Sequence, residues 1–105
     1  MKHFVYMVSD YLKKNIHIGY ATDLEKMLKI YDQINEMSLS WPVENYLNRL
    51  VYLEEISTDY LAKDRFKIIS TLTSKEKREM ITELNPTWCD LTADQNFKYF
   101  IQTEN

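Results

Sequence analysis

One cysteine, one glycine and two prolines in 105 residues leave this chain with few of the residues that cross-link or punctuate a backbone. A lone Cys89 excludes an internal disulfide and a multi-cysteine zinc site, and it reads as an ordinary free thiol in a reducing compartment. No apolar run approaches the roughly 18 residues of a membrane span, and Met1-Lys2-His3-Phe4 lacks the unbroken apolar segment of a signal peptide. A cytoplasmic protein with no membrane contact is the expectation. Surplus positive charge is missing as well. A net charge of -3 and a pI of about 5.3 repel phosphate at long range, which argues against a dedicated nucleic-acid binder. With no repeat, linker or low-complexity run and 45% apolar residues, residues 1–105 are expected to form one domain with one modest core.

The single glycine, Gly19, sits where a strand runs into a helix. Asn15 to Ala21 alternates as a strand does, and Leu24, Met27, Leu28 and Tyr31 then fall on one helical stripe. Thr22 and Glu25 between them have capping-box spacing. A chain with one glycine is expected to need it here for a special dihedral or for close approach of another group.

His3 to Val8 reads as a buried strand, with Phe4, Tyr6 and Val8 on one side and Val5 and Met7 on the other. Asp10 to Lys14 turns it into the second strand as an antiparallel hairpin. The first helix is expected over Asp23 to Ile34. Glu36 to Asn48, with Ser38, Ser40, Pro42 and Asn45, reads as a loop or short irregular helix around Trp41. Trp41 is a packed loop anchor or an exposed aromatic for a partner.

Arg49 to Ile56 alternates as a third strand. Ser57 or Thr58 can cap a second helix, in which Ala62, Phe66 and Ile69 form a stripe widened by Leu61, Ile68 and Leu72. Thr73 and Glu76 form a further capping box for a third helix, with Met80, Ile81 and Leu84 inward and its end before Pro86. The tail from Gln95 to Asn105 carries Phe97, Tyr99, Phe100 and Ile101 and is expected to pack on the core rather than stay solvated. The expected class is α+β, a three-stranded antiparallel sheet flanked by helices in the order β-β-α-β-α-α.

This order and several short motifs resemble the GIY-YIG nuclease family, in its small single-domain bacterial branch. Phe4-Val5-Tyr6 stands where the first family tripeptide ends in tyrosine, and His17-Ile18-Gly19 where the second reads Tyr-Ile-Gly. The likeness continues through Thr22-Asp23-Leu24-Glu25, Arg49-Leu50-Val51-Tyr52-Leu53-Glu54-Glu55 and Asn85-Pro86-x-Trp88-x-Asp90-Leu91, and it covers residues 3 to 93. The resemblance implies hydrolysis of DNA phosphodiesters. In that chemistry a tyrosine of the second tripeptide activates or positions water, an arginine on the first helix stabilises phosphate charge, and a glutamate on the second helix holds a divalent cation.

Carried over position by position, these roles meet different residues. Tyr6 and Gly19 match the family. The second tyrosine falls on His17, the arginine on Met27 and the glutamate on Phe66. Histidine can replace tyrosine as a base, but methionine supplies no positive charge and phenylalanine holds no metal. Lys26 lies about 100° round the helix from Met27, and Asp64 about 200° from Phe66, so each would have to reach around its helix to substitute. Met27 and Phe66 share stripes with core residues and read as fillers of a former cleft.

Charge points the same way. No lysine or arginine occurs between Lys29 and Arg49, whereas Asp32, Glu36 and Glu44 do. Lys63, Arg65, Lys67, Lys75, Lys77 and Arg78 form a basic side interleaved with Asp59, Asp64, Glu76 and Glu79, which reads as a salt-bridged, solvated face. The sequence is therefore read as a nuclease-like domain without catalysis, without a cofactor or metal, and with a protein or small ligand as partner and weak or no DNA binding. The alternative is a divergent endonuclease that uses His17 and Tyr6 with magnesium.

Overall fold

The computed structural model describes residues 1–38, 41–94 and 97. Strands β1 (His3–Ser9), β2 (Ile16–Ala21) and β3 (Arg49–Ile56) form one antiparallel sheet in the order β2-β1-β3. Helix α1 (Leu24–Met37) follows β2, and helices α2 (Asp59–Ser70) and α3 (Ser74–Leu84) follow β3. This is the expected α+β class and element order. No helix among the described residues is long and apolar enough to cross a membrane.

The central strand is buried on both faces. Phe4, Tyr6 and Val8 pack with Leu24, Met27 and Tyr31 of α1, and with Leu47, Leu50 and Phe97. Val5 and Met7 pack on the other side with Val51, Tyr52, Ala62, Ile69, Ile81 and Trp88. Complete burial of Phe4, Met7, Leu24, Ile69 and Ile81 contributes about 1.5–3 kcal/mol for each of these side chains, before chain entropy is counted against it.

The hairpin between β1 and β2 is built on Asp10, which is fully buried. Its carboxylate accepts from the Lys14 amide at 2.8 Å, the Asn15 amide at 3.3 Å and Asn15 Nδ2 at 2.8 Å, and Lys13 closes the turn at φ 59°.

Helix α1 departs from expectation at both ends. Its N-cap is Asp23, whose Oδ1 accepts from the Lys26 amide at 3.0 Å, so Thr22 and Glu25 form no capping box. A carboxylate at the N-cap adds charge to the bond and complements the helix dipole, which favours it over the neighbouring hydroxyl. At the other end α1 runs on to Met37 rather than stopping at Ile34. Asn35 extends the buried face, donating from Nδ2 to the Leu47 carbonyl at 3.1 Å and accepting at Oδ1 from the Leu47 amide at 2.9 Å. Val43–Asn45 then forms one 3-10 turn. Leu39 and Ser40 lie outside the described residues.

Strand β3 carries a bulge. Met7 pairs with Tyr52 but Val8 with Leu50, so two residues of β3 pass one step of β1 and Val51 joins the same face as Tyr52. The segment after α3 holds this irregularity. Asn85 Nδ2 donates to the Val51 carbonyl at 3.1 Å, and Asp90 Oδ1 accepts from the Leu50 amide at 3.3 Å. The closing motif Asn85-Pro86-x-Trp88-x-Asp90 thus clamps the bulged strand.

Thr58 caps α2, and Thr73 with Glu76 caps α3 in a reciprocal box with bonds of 3.1 and 3.0 Å. The apolar stripes are narrower than expected. Leu61 and Ile68 of α2 are about half exposed and Leu84 of α3 is largely exposed, because each helix meets the sheet along one line, with Ala62 and Ile69 or Ile81 at the contact. In the tail, Phe97 joins the core. Tyr99, Phe100 and Ile101 lie outside the described residues.

Candidate binding cleft

Helix α1 crosses the sheet over β1 and leaves the same face of β2 partly open. The opening is a cleft of about 360 Å³ lined by Tyr6, His17, Lys26, Met27 and Tyr31, with Tyr20, Ala21, Thr22, Asp23, Ile30 and Ile34 around them. The hairpin register sets Tyr6 opposite Gly19. A Cβ on Gly19 would stand 2.2 Å from Tyr6 Oη and 2.4 Å from Cζ, so the tyrosine lies across bare glycine backbone. Gly19 has no positive φ. Of the two reasons foreseen for it, close approach is the one that applies.

Two residues along β2, His17 points to the same face. Its Nδ1 shares a hydrogen bond of 2.5 Å with Tyr31 Oη, which in turn lies 3.4 Å from Tyr6 Oη. The Tyr31 ring stands edge-on to both, with centroid separations of 6.0 Å to Tyr6 and 5.5 Å to His17. Burial pushes the Tyr6 phenol above its ordinary value, against a smaller opposing effect of the Tyr31 hydrogen bond. Burial and then the Tyr6 hydroxyl push the Tyr31 phenol up as well. Both phenols keep their protons near neutral pH and act as hydrogen-bonding groups rather than as bases.

The sequence-derived positions divide. Tyr6, His17 and Met27 line one cleft, and Gly19 seats the first of them. Met27 is buried in the core cluster under α1. Phe66 packs with the cluster on the opposite side of the sheet, its ring 5.2 Å from that of Tyr20, and does not line the cleft. Asp64 is exposed on α2 and does not line it either. Lys26 does. Its Cα lies round the helix from Met27, as expected, but a flexible four-carbon side chain on the first turn of a helix reaches the cleft.

Its place on the stripe with Leu24, Met27 and Leu28 marks Tyr31 only as a core residue. A signal was present, because a tyrosine on a buried stripe needs a partner for its hydroxyl, and four residues before it stands the family's arginine position. Trp41 is 40% exposed and borders a second hollow of about 350 Å³ with Asn15, Ile16, His17, Asn45 and Leu47. His17 thus stands between two hollows.

The residues present do not fit a divalent cation at the family position. Phe66 offers no ligand atom there, and among the described residues no group of three or more His, Cys, Asp or Glu side chains could hold an ion. On the basic side, Lys63 pairs with Asp59 at 2.9 Å and Arg65 with Glu54 at 3.1 Å, while the Arg78 guanidinium lies over the Trp88 ring.

No family model and no curated protein matches this chain. Among solved structures, the chain is similar to the UPF0213 protein BH0048 from Bacillus halodurans, determined by solution NMR. The match has a TM-score of 0.55 over 90% of this chain and 98% of that one, at 17% sequence identity. At this identity the likeness is one of fold, and the fold is GIY-YIG-like.

Proposed function

We propose that this GIY-YIG-like domain is a binding or regulatory module that does not hydrolyse phosphodiesters, and that it recognises a protein or small ligand at the remodelled cleft. One observation carries the reading: Met27, at the cleft position where the family's chemistry requires a positive charge, is apolar and packed. Met27 lies in the core cluster beneath the cleft, and Phe66 lies against Tyr20. Neither restores what phosphoryl transfer needs, a fixed positive charge and an anionic metal ligand. The acidic balance of the chain supports weak or no DNA binding.

Incubation of the purified protein with supercoiled plasmid and branched DNA, in magnesium or manganese, tests this. The expected result is intact DNA. Nicking by the unaltered protein, lost in His17→Ala, would instead establish a divergent magnesium-dependent endonuclease built on His17 and Tyr6. That second reading is favoured by the presence of Lys26 in the cleft beside them.

A further inference from the structure

The polar groups at the bottom of the cleft can be counted hydrogen by hydrogen. Tyr6, Tyr31 and His17 share two hydrogen bonds. With the imidazole in its neutral form they carry two O–H groups and one N–H, three donors for two links. One donor is left over whichever way the chain runs. If His17 Nδ1–H donates to Tyr31 and Tyr31 to Tyr6, the Tyr6 hydroxyl hydrogen is free; if Tyr6 donates to Tyr31 and Tyr31 to Nδ1, the free donor is Nε2–H of His17; and if Tyr31 accepts from both, its own hydroxyl hydrogen is free. A protonated imidazole adds a donor. In every arrangement one hydrogen-bond donor finds no acceptor among the three rings.

Lys26 adds the charge. It lines the same cleft, its side chain is exposed, and among the described residues it takes part in no ion pair. The acidic residue beside it, Asp23, spends its carboxylate on the backbone of the first helical turn. Apart from Thr22 and Tyr20, the remaining wall is hydrocarbon: Ala21, Met27, Ile30 and Ile34, with Ile30 46% and Ile34 37% exposed to solvent. Ile30 and Ile34 stand one turn apart on α1, so their exposed faces form one apolar strip along the cleft.

We propose that the cleft is a site for a small organic carboxylate, its carboxylate oxygens on Lys26 Nζ and the spare donor of the three-ring chain, and its aromatic or aliphatic body along Met27, Ile30 and Ile34. This deepens the binding reading above and rests on it. A volume of about 360 Å³ lies at the small end of ligand pockets, roughly 300–1,000 Å³, and suits a one- or two-ring molecule. One cation and one donor match a monoanion. A nucleic-acid backbone would bring further phosphates against an acidic protein and leave the apolar wall uncovered.

Titration of the isotopically labelled protein with indole-3-acetate, followed by amide chemical shifts, tests the assignment, with indole-3-acetamide and inorganic phosphate as parallel probes. The acid is expected to move the amides of Thr22, Lys26, Ile30 and Tyr31 and to bind about tenfold more tightly than its neutral amide. In Lys26→Met the two should come within about twofold of each other, and Ile30→Asp should abolish binding of both. Both positions are exposed, and the amide spectra report directly whether each variant is folded. The proposal is overturned if acid and amide bind alike, if phosphate displaces the acid at equal concentration, if the shifts map elsewhere, or if the acid moves nothing at about 10 mM. Absence of carboxylate binding together with intact DNA in the nuclease assay removes this inference alone. Nicked DNA removes the binding-module reading itself.

Discussion

Gly19 and Tyr6 make one steric unit. Any side chain at position 19 would occupy the space of the Tyr6 ring and hydroxyl, so Gly19→Ala is expected to destabilise the protein by about 1–3 kcal/mol, read as a lower urea midpoint with unchanged slope. Tyr31→Phe removes both links of the hydrogen-bond chain while keeping the ring. It should cost about 1–3 kcal/mol in the same measurement, because Tyr6 and His17 each lose a partner at the bottom of the cleft. At this scale the sequence was readable where a residue type is rare or rigid. Gly19 announced either a special dihedral or a close approach, and the Tyr6 ring across its backbone decided for the second. Tyr31 and Lys26 did not announce themselves. One has an apolar ring that fits a core stripe and a hydroxyl whose partners come from other strands, and the other has a stem long enough to leave the direction its Cα suggests.

The boundaries of elements depend on which of several neighbouring groups takes a bond. Asp23, not Thr22, caps α1. Asp23→Ala should therefore cost about 1 kcal/mol and Thr22→Ala close to nothing, measured by thermal unfolding of the two variants side by side. Thr58 caps the second helix even though Asp59 follows it, because that carboxylate pairs with Lys63 at 2.9 Å, and Thr73 caps the third in its box with Glu76. The bulge in β3 was invisible in the alternation of Leu50, Val51, Tyr52 and Leu53. It exists because Asn85 and Asp90, from a segment more than thirty residues away, take the Val51 carbonyl and the Leu50 amide. Asn85→Ala is expected to lower stability by about 2 kcal/mol, leaving the Val51 carbonyl and the Cys89 backbone short of partners, and to weaken hydrogen-exchange protection around Leu50 to Tyr52 first.

At the scale of the whole molecule, three tyrosines tie stability to alkaline pH. Tyr6 and Tyr31 are pushed up by burial, and Tyr52, buried and donating to Glu54, is pushed up to about 12. A phenol whose folded value exceeds its unfolded value of about 10 favours the native state fully below that pH and loses the advantage as pH rises through the folded value. The melting temperature should accordingly fall between pH 10 and 12, and tyrosinate absorbance should rise in step with unfolding for these three rather than before it. The order of strands and helices and the two-sided burial of β1 were determined by the sequence alone, because hydrophobic period and capping chemistry act over a few neighbouring residues. The tertiary structure decided the contents of the cleft. It carried Phe66 to the far side of the sheet, brought Lys26 round to join Tyr6 and His17, and linked those two through Tyr31. Such meetings depend on strand register and on where a helix crosses the sheet, and no local pattern encodes either.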